Sequence, residues 1–344
     1  MKRTLVGILL VLAPAAVALD LPEALSRASA RPAAITARLE LINTESTLAR
    51  TAGDPLALRP DLLQAEHAAN LATVQLRQAE LDALVDIASA YTALLEAREQ
   101  VSLANAGVEL ATTGVNIAQI RVANGSATSL DLREAEVSLE NALAMLSAAQ
   151  NGLSIATGNL EGMIGSSVAP VDLDHVAPSL LGGVPPLDEV LLAAARTPEL
   201  MQVEQGLELA TLALEVLDPS YAAPASIEHA RTQLDTTEQL VGEARRGFDL
   251  QARNLHLQAV NALRMLEVER EVHANASERV SIASERLEAG IIARIEFDSI
   301  SIEGMTASLE LMKAENAYLL ALLRLSAGTL VDLPGGLGAV FGAQ

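Results

Sequence analysis

Arg121-Val-Ala-Asn-Gly125-Ser-Ala-Thr-Ser-Leu-Asp131-Leu132 returns near the end of the chain as Arg286-Leu-Glu-Ala-Gly290-Ile-Ile-Ala-Arg-Ile-Glu296-Phe297, with arginine, glycine and acid at unchanged spacing. The offset is 286 − 121 = 165 residues, and the stretch from Leu21 to Pro32 recurs from Leu187 to Pro198 at 187 − 21 = 166. Leu21/Leu187, Glu23/Glu189, Leu25/Leu191, Ala28/Ala194 and Pro32/Pro198 are identical pairs. Solenoid repeats step by about 20–50 residues, so a period this long is one whole folding unit used twice.

The flanks of the first turn carry helical seams. Before it, Leu84, Ile87, Tyr91, Leu94, Arg98, Val101, Ala104, Val108, Ala111, Val115 and Ala118 alternate intervals of three and four. After it, Leu132, Ala135, Leu139, Ala142, Leu146, Ala149, Leu153, Ala156 and Leu160 do the same. Such heptads mark two consecutive helices packed as a coiled coil, and a period below 3.6 implies a left-handed supercoil. Large and small residues alternate along each seam, which lets the backbones approach closely. After the second turn the seam returns in register through Phe297, Ile300, Gly304, Ala307, Leu311, Ala314, Tyr318, Ala321 and Leu325. Before that turn Ala262, Leu266, Val280, Ala283 and Leu287 fit, while Glu269 and His273 interrupt. From Leu84 to the turn is roughly 55 Å of helix at 1.5 Å per residue.

Asn124-Gly125 and Ala289-Gly290 read as helix stops, because glycine adopts the left-handed conformation that closes a helix C-terminus. Ser129 and Asp131 suit the start of the returning helix. On composition alone, the repeated turn is a well-made helical hairpin tip. The expected fold is all-α: two tandem repeats of long antiparallel coiled-coil hairpins.

Composition agrees. Apolar residues make up 50% of the chain, yet there are only three Tyr, three Phe and no Trp. Lys2 and Arg3, the apolar run Leu5 to Leu12 and the small residues ending Ala16-Val17-Ala18 read as a signal peptide over 1–18, so export is expected. The remaining organisation is a first repeat over 19–165, a Pro/Gly-rich connector over 166–186, a second repeat over 187–330 and a Gly-rich tail over 331–344. Cysteine is absent, which leaves no disulfide framework. Without the signal, 23 − 2 = 21 basic residues face 44 acidic ones, a net charge of 21 − 44 = −23. That balance opposes nucleic-acid binding, which depends on phosphate neutralisation. The five histidines include no i, i+4 pair, so no metal site and no cofactor is expected. No nucleophile elbow, phosphate loop or distinctive carboxylate pair points to an enzyme.

These residues resemble the outer membrane efflux family, of which TolC is the best-known member. The family's landmarks in each half are a proline helix start, an Ala-Tyr helix, Arg-x3-Gly-x5-Asp at the tip and an alanine- and leucine-rich return. Here they fall at Arg31-Pro32 and Thr197-Pro198, Ala90-Tyr91, Arg121, Gly125 and Asp131, and Arg286, Gly290 and Glu296. The last helix, Asn316 to Leu330, is similar to the family's final helix. The resemblance implies a homotrimer whose six hairpins close a periplasmic tube. It also implies tips that meet a periplasmic adaptor, the link to an inner-membrane pump, at Arg121, Gly125, Asp131, Arg286, Gly290 and Glu296. An acidic ring in the family's second tip would correspond to Glu296, with Asp298 displaced by one from the place of a second acid. Glu296 reads equally well as a helix-start acid.

One departure is large. Each half of a typical member carries a two-strand hairpin that builds a membrane barrel, and each membrane strand takes about 9–11 residues of alternating polarity. The corresponding segments, Thr51 to Pro60 and Leu217 to Pro224, are about half long enough, and their prolines oppose strand pairing. The expectation is a TolC-like tube whose barrel strands are lost or reduced to loops, working with a separate outer-membrane barrel partner. The competing expectation is a structural periplasmic spacer or envelope-attachment protein without channel activity. Either way the chain is placed in the periplasm, at the outer membrane or cell envelope.

Overall fold

The computed structural model describes residues 21–168, 182–217, 220 and 222–333. The segment expected to be a signal peptide, most of the expected connector and nearly all of the Gly-rich tail lie outside them. Eight α-helices follow in order: α1 Leu21–Ser26, α2 Pro32–Gly53, α3 Arg59–Ala123, α4 Ser129–Ile164, α5 Leu187–Ala194, α6 Pro198–Glu215, α7 Pro224–Glu288 and α8 Arg294–Thr329. A 3-10 turn over Ala28–Ala30 joins α1 to α2. The described residues contain no strand.

The duplication is visible in the helix ends. Helices α3 and α7 are each 65 residues, and α4 and α8 are each 36. Arg59/Pro224, Ala123/Glu288, Ser129/Arg294 and Ile164/Thr329 all differ by 165, as in 224 − 59. At 1.5 Å per residue the long helices run about 97 Å and their partners about 54 Å.

One proline of each shortened segment, Pro60 or Pro224, lies in the first turn of the following helix, while Pro55 stays in the connection. Pro32, Pro60, Pro198 and Pro224 each lie in a first helical turn, where the missing N–H needs no intrahelical partner. Helix α3 therefore begins at Arg59, three residues before the apolar pattern resumes at Leu62. Only Asp54–Leu58 connects α2 to α3. Asp54 shapes that connection: its Oδ1 accepts from Leu56 N–H at 2.9 Å and its carbonyl from Ala57 N–H at 3.1 Å.

Helices α2 and α4 lie end to end along α3. Arg31 Nη1 donates to Met163 O at 3.3 Å, bringing the start of α2 to the end of α4. Arg38 on α2 pairs with Glu80 on α3 at 2.9 Å. In the second half, Glu204 on α6 pairs with Arg245 on α7 at 2.6 Å. The halves join where α3 packs on α8 and α6. Buried Asn316 donates from Nδ2 to Glu96 Oε1 at 2.9 Å, and His67 Nε2 lies 2.8 Å from Glu208 Oε2.

The core lies at mid-length, far from the tips. Ile87, Tyr91, Leu94 and Leu95 of α3 and Leu319, Leu322 and Leu323 of α8 are at most 1% exposed, and Leu21 and Leu25 of α1 close over the same cluster. The connector's end straps onto it: Tyr318 Oη donates to Gly182 O at 2.5 Å, and His256 Nε2 lies 3.1 Å from Pro185 O. Burial holds the Tyr318 hydroxyl above its ordinary pKa.

The seams run where the heptads place them. Every α4 seam residue from Leu132 to Leu160 is buried or half-buried, and apart from Thr157 the residues between them are exposed. The seam of α7 differs from the sequence expectation. It continues unbroken through Leu266, Glu269, His273, Ala276, Val280 and Ala283, all at least half-buried. Helical geometry, rather than polarity, decides which residues face the partner helix. His273 lines a cavity of about 240 Å³ together with Glu99, Met305, Met312 and Glu315.

Candidate functional site

Each hairpin tip closes with the same backbone motif. In the first, Ser126 N–H donates to Arg121 O at 2.8 Å and Gly125 N–H to Val122 O at 3.0 Å. In the second, Ile291 N–H donates to Arg286 O at 2.8 Å and Gly290 N–H to Leu287 O at 2.9 Å. These paired bonds are the Schellman arrangement, which satisfies the last helical carbonyls. It requires a left-handed residue, and Gly125 and Gly290 both have φ +69°. Thus the repeated arginine and glycine, four residues apart, belong to one turn, each with a defined backbone task.

The acids are set differently in the two halves. Asp131 closes a capping box: Asp131 N–H donates to Thr128 Oγ1 at 3.3 Å, and Thr128 N–H donates to Asp131 Oδ2 at 2.7 Å. The Thr128 backbone bond, then the Thr128 hydroxyl, hold the Asp131 carboxyl below its ordinary pKa, with Arg121 adding a smaller attraction. The cap is thus Thr128, one residue before the Ser129 read from sequence. The pattern Thr128-x-x-Asp131 carried that signal.

Glu296 occupies the equivalent position on α8, but Ala293 precedes the helix and has no capping side chain. Glu296 instead lines a cavity of about 310 Å³ at the second tip with Arg286, Arg279, Glu303, Ile282 and Ile292. Arg279 and Glu303 pair across it at 3.6 Å. Asp298 takes a different course. It pairs with Arg294 at 2.8 Å, and the same guanidinium sits 5.6 Å from the Phe297 ring centroid. Two residues apart on one helix, Glu296 and Asp298 point to different sides. The structure therefore brings Arg286 and Glu296 together and separates Asp298 from them.

The tips stand clear of the core. Leu94 to Ala123 spans 29 residues, about 44 Å of helix. Arg121, Gly125, Asp131, Arg286, Gly290 and Glu296 are all exposed. No group of three or more His, Cys, Asp or Glu among the described residues is arranged to hold a metal ion.

Two long hairpins in tandem, with helices stacked end to end beside them, are an arrangement shared with solved channel proteins. VceC, an outer membrane protein of Vibrio cholerae, superposes with a TM-score of 0.61 at 14% identity, covering 90% of this chain and 96% of its own. CusC gives 0.65 at 13% identity, with 90% and 95% covered. The open-state MtrE outer membrane channel of Neisseria gonorrhoeae gives 0.59 at 15%, with 92% and 89% covered. The sequence model of the outer membrane efflux protein family matches residues 57–166. The chain has a TolC-like fold. No curated protein sequence matches it. The TolC-like matched segment contains α3, the first tip and α4, which is the most regular hairpin of the two. No described helix is long and apolar enough to cross a membrane.

Proposed function

We propose that this TolC-like chain is the subunit of a homotrimeric periplasmic conduit for efflux or secretion, held at the outer membrane or cell envelope. Its tips at Arg121, Gly125, Asp131, Arg286, Gly290 and Glu296 meet an adaptor that links it to an inner-membrane pump. The observation that carries the reading is the pair of tips closed by identical glycine motifs on hairpins of identical length. A rod that served only as a spacer would have no need of two matched, exposed ends.

Unsatisfied helix faces support the assembly. Ile35, Leu39 and Ile42 on α2 are 45%, 62% and 57% exposed, and Met265, Val268 and Val272 on α7 are 56%, 52% and 44%. Their intervals of three and four form a second apolar stripe on helices that already bury a first. Such stripes call for further helices from other copies. Of the two acids near the second tip, the proposal gives a lumen-facing role to Glu296 and leaves Asp298 to Arg294.

The test replaces Gly125 and Gly290 together by valine and follows adaptor pull-down and export in cells. Loss of both, with native mass unchanged, supports the conduit. Undiminished export and pull-down would sink it. The absence of strands among the described residues favours one competing reading, a structural spacer. Envelope defects in a deletion strain whose export is intact would establish that reading instead.

A further inference from the structure

The chain contains two Asn-Gly pairs, Asn124-Gly125 at the first tip and Asn151-Gly152 inside α4. We propose that Asn124 is a self-modification site, at which the chain converts its own first tip from an asparaginyl to an isoaspartyl linkage with time, while Asn151 stays intact. The second tip is exempt, because Ala289 precedes Gly290 there. The chemistry needs no partner and holds whether or not the chain is a conduit.

The step balances with water alone. The Gly125 nitrogen gives up its proton and attacks Asn124 Cγ; an N–Cγ bond forms, the Cγ–Nδ2 bond breaks, and ammonia leaves. Water then opens the cyclic imide. Cleavage at the Asn124 main-chain carbonyl routes the backbone through the side chain, as isoaspartate, and cleavage at Cγ gives ordinary aspartate. One water is consumed and one ammonia released, with nothing oxidised or reduced. Glycine favours the attack because it has no side chain to shield its nitrogen, and the space beside Gly125 is open, since a Cβ there would meet nothing within 4 Å.

Geometry decides which pair reacts. All four residues are exposed, so exposure does not separate them. In the closed tip Asn124 has ψ 4° and Gly125 N–H is held by Val122 O at 3.0 Å, an arrangement that turns the nitrogen away from Cγ. Attack therefore waits for the Schellman turn to open. That turn lies at a helix end far from the core, where local opening costs least. Gly152 lies 164 − 152 = 12 residues from the nearer end of α4, so freeing its nitrogen means breaking a helix from within. When opening and closing are fast relative to reaction, the rate is that of a free peptide scaled by the open population.

The product cannot close as before. Isoaspartate adds a methylene to the main chain between the acceptors Arg121 O and Val122 O and the donors Gly125 N–H and Ser126 N–H. It also sets a carboxylate at a helix end whose carbonyls already carry partial negative charge. Ammonia is lost to solvent, so the change runs one way, and two tips that start matched diverge with age.

The experiment incubates the purified full chain at mildly alkaline pH, below its melting transition, beside a peptide spanning Arg121 to Leu132, and maps modification by proteolysis and mass spectrometry. Isoaspartate is expected at Asn124 at least about tenfold faster than at Asn151. The slowing relative to the peptide should match the hydrogen-exchange protection of Ser126 N–H. Ala289→Asn is expected to bring a second site to the second tip, and Asn124→Ala to remove the first, both at unchanged native mass. An Asn124 that lasts as long as Asn151, or an Ala289→Asn chain that stays intact at its second tip, overturns the proposal. A slowing that departs from the Ser126 protection overturns turn opening as the gate.

Discussion

Glu204 and Arg245 pair at 2.6 Å across α6 and α7, and the equivalent junction between α2 and α3 is closed by Arg38 and Glu80 at 2.9 Å with the charges exchanged. The positions correspond, since 204 − 38 = 166 and 245 − 80 = 165. Placing α2 where α6 belongs would set Arg38 against Arg245, and placing α6 on α3 would set Glu204 against Glu80. The exchange therefore favours each short helix on its own long partner. Glu204→Arg is expected to cost up to about 1 kcal/mol, the upper range for exposed pairs. Adding Arg245→Glu should recover most of it. Urea unfolding of the two variants checks this, and an equal loss in the double variant would mean that the pair has no specific part.

Gly304 marks a close approach of α7 and α8 along the seam. A Cβ there would lie 2.6 Å from Val280 Cγ2. Gly304→Leu should therefore destabilise by about 1–3 kcal/mol through overpacking. Val280→Ala removes the obstructing methyl, so the double variant should be more stable than Gly304→Leu alone. Additive losses in a double-mutant cycle would show that the two sites do not touch.

At the tips, the left-handed φ of Gly125 separates two substitutions by how well each residue tolerates it. Gly125→Asn should be nearly silent, because asparagine tolerates that region, whereas Gly125→Val should cost about 1–3 kcal/mol. Hydrogen exchange at Ser126, whose N–H closes the Schellman motif on Arg121, reads the effect locally.

Asp131 gives the first hairpin an acid-dependent cap. Its carboxyl pKa is lowered in the fold, so the carboxylate is the form that the capping box favours. The stabilisation is present above the unfolded value near 3.8 and is lost as pH falls through the folded value. Asp131→Asn should therefore melt at a lower temperature than wild type at pH 7, and the gap should close in acid. A gap unchanged at pH 2 would assign the effect to shape rather than charge.

Most of the architecture was legible because a long coiled coil writes its contacts into sequence every three or four residues. Leu132 to Leu160 could be read off before any coordinates, and so could both glycine stops. Glu269 and His273 were misread as breaks because polarity was taken to mark the outside; the intervals alone, with Ala276, gave the correct face. Thr128 was passed over for its neighbour Ser129, although its spacing to Asp131 was the stronger signal. The meeting of the halves was beyond reading: Asn316 and Glu96 lie 220 residues apart, and no periodicity connects them. The division of Glu296 from Asp298 was open to spacing: two residues apart on one helix they face different sides, and Arg294 stands one turn before Asp298.

The matched lengths of α3 with α7 and of α4 with α8 limit how such a chain can change size. Seven residues added to α3 would preserve its seam but leave α4 too short to meet it, and a correction within one half would still leave the two tips at different heights. A longer or shorter rod is reached only by equal heptad changes in four helices together, so length here is a quantised property of the whole chain and not of any one segment.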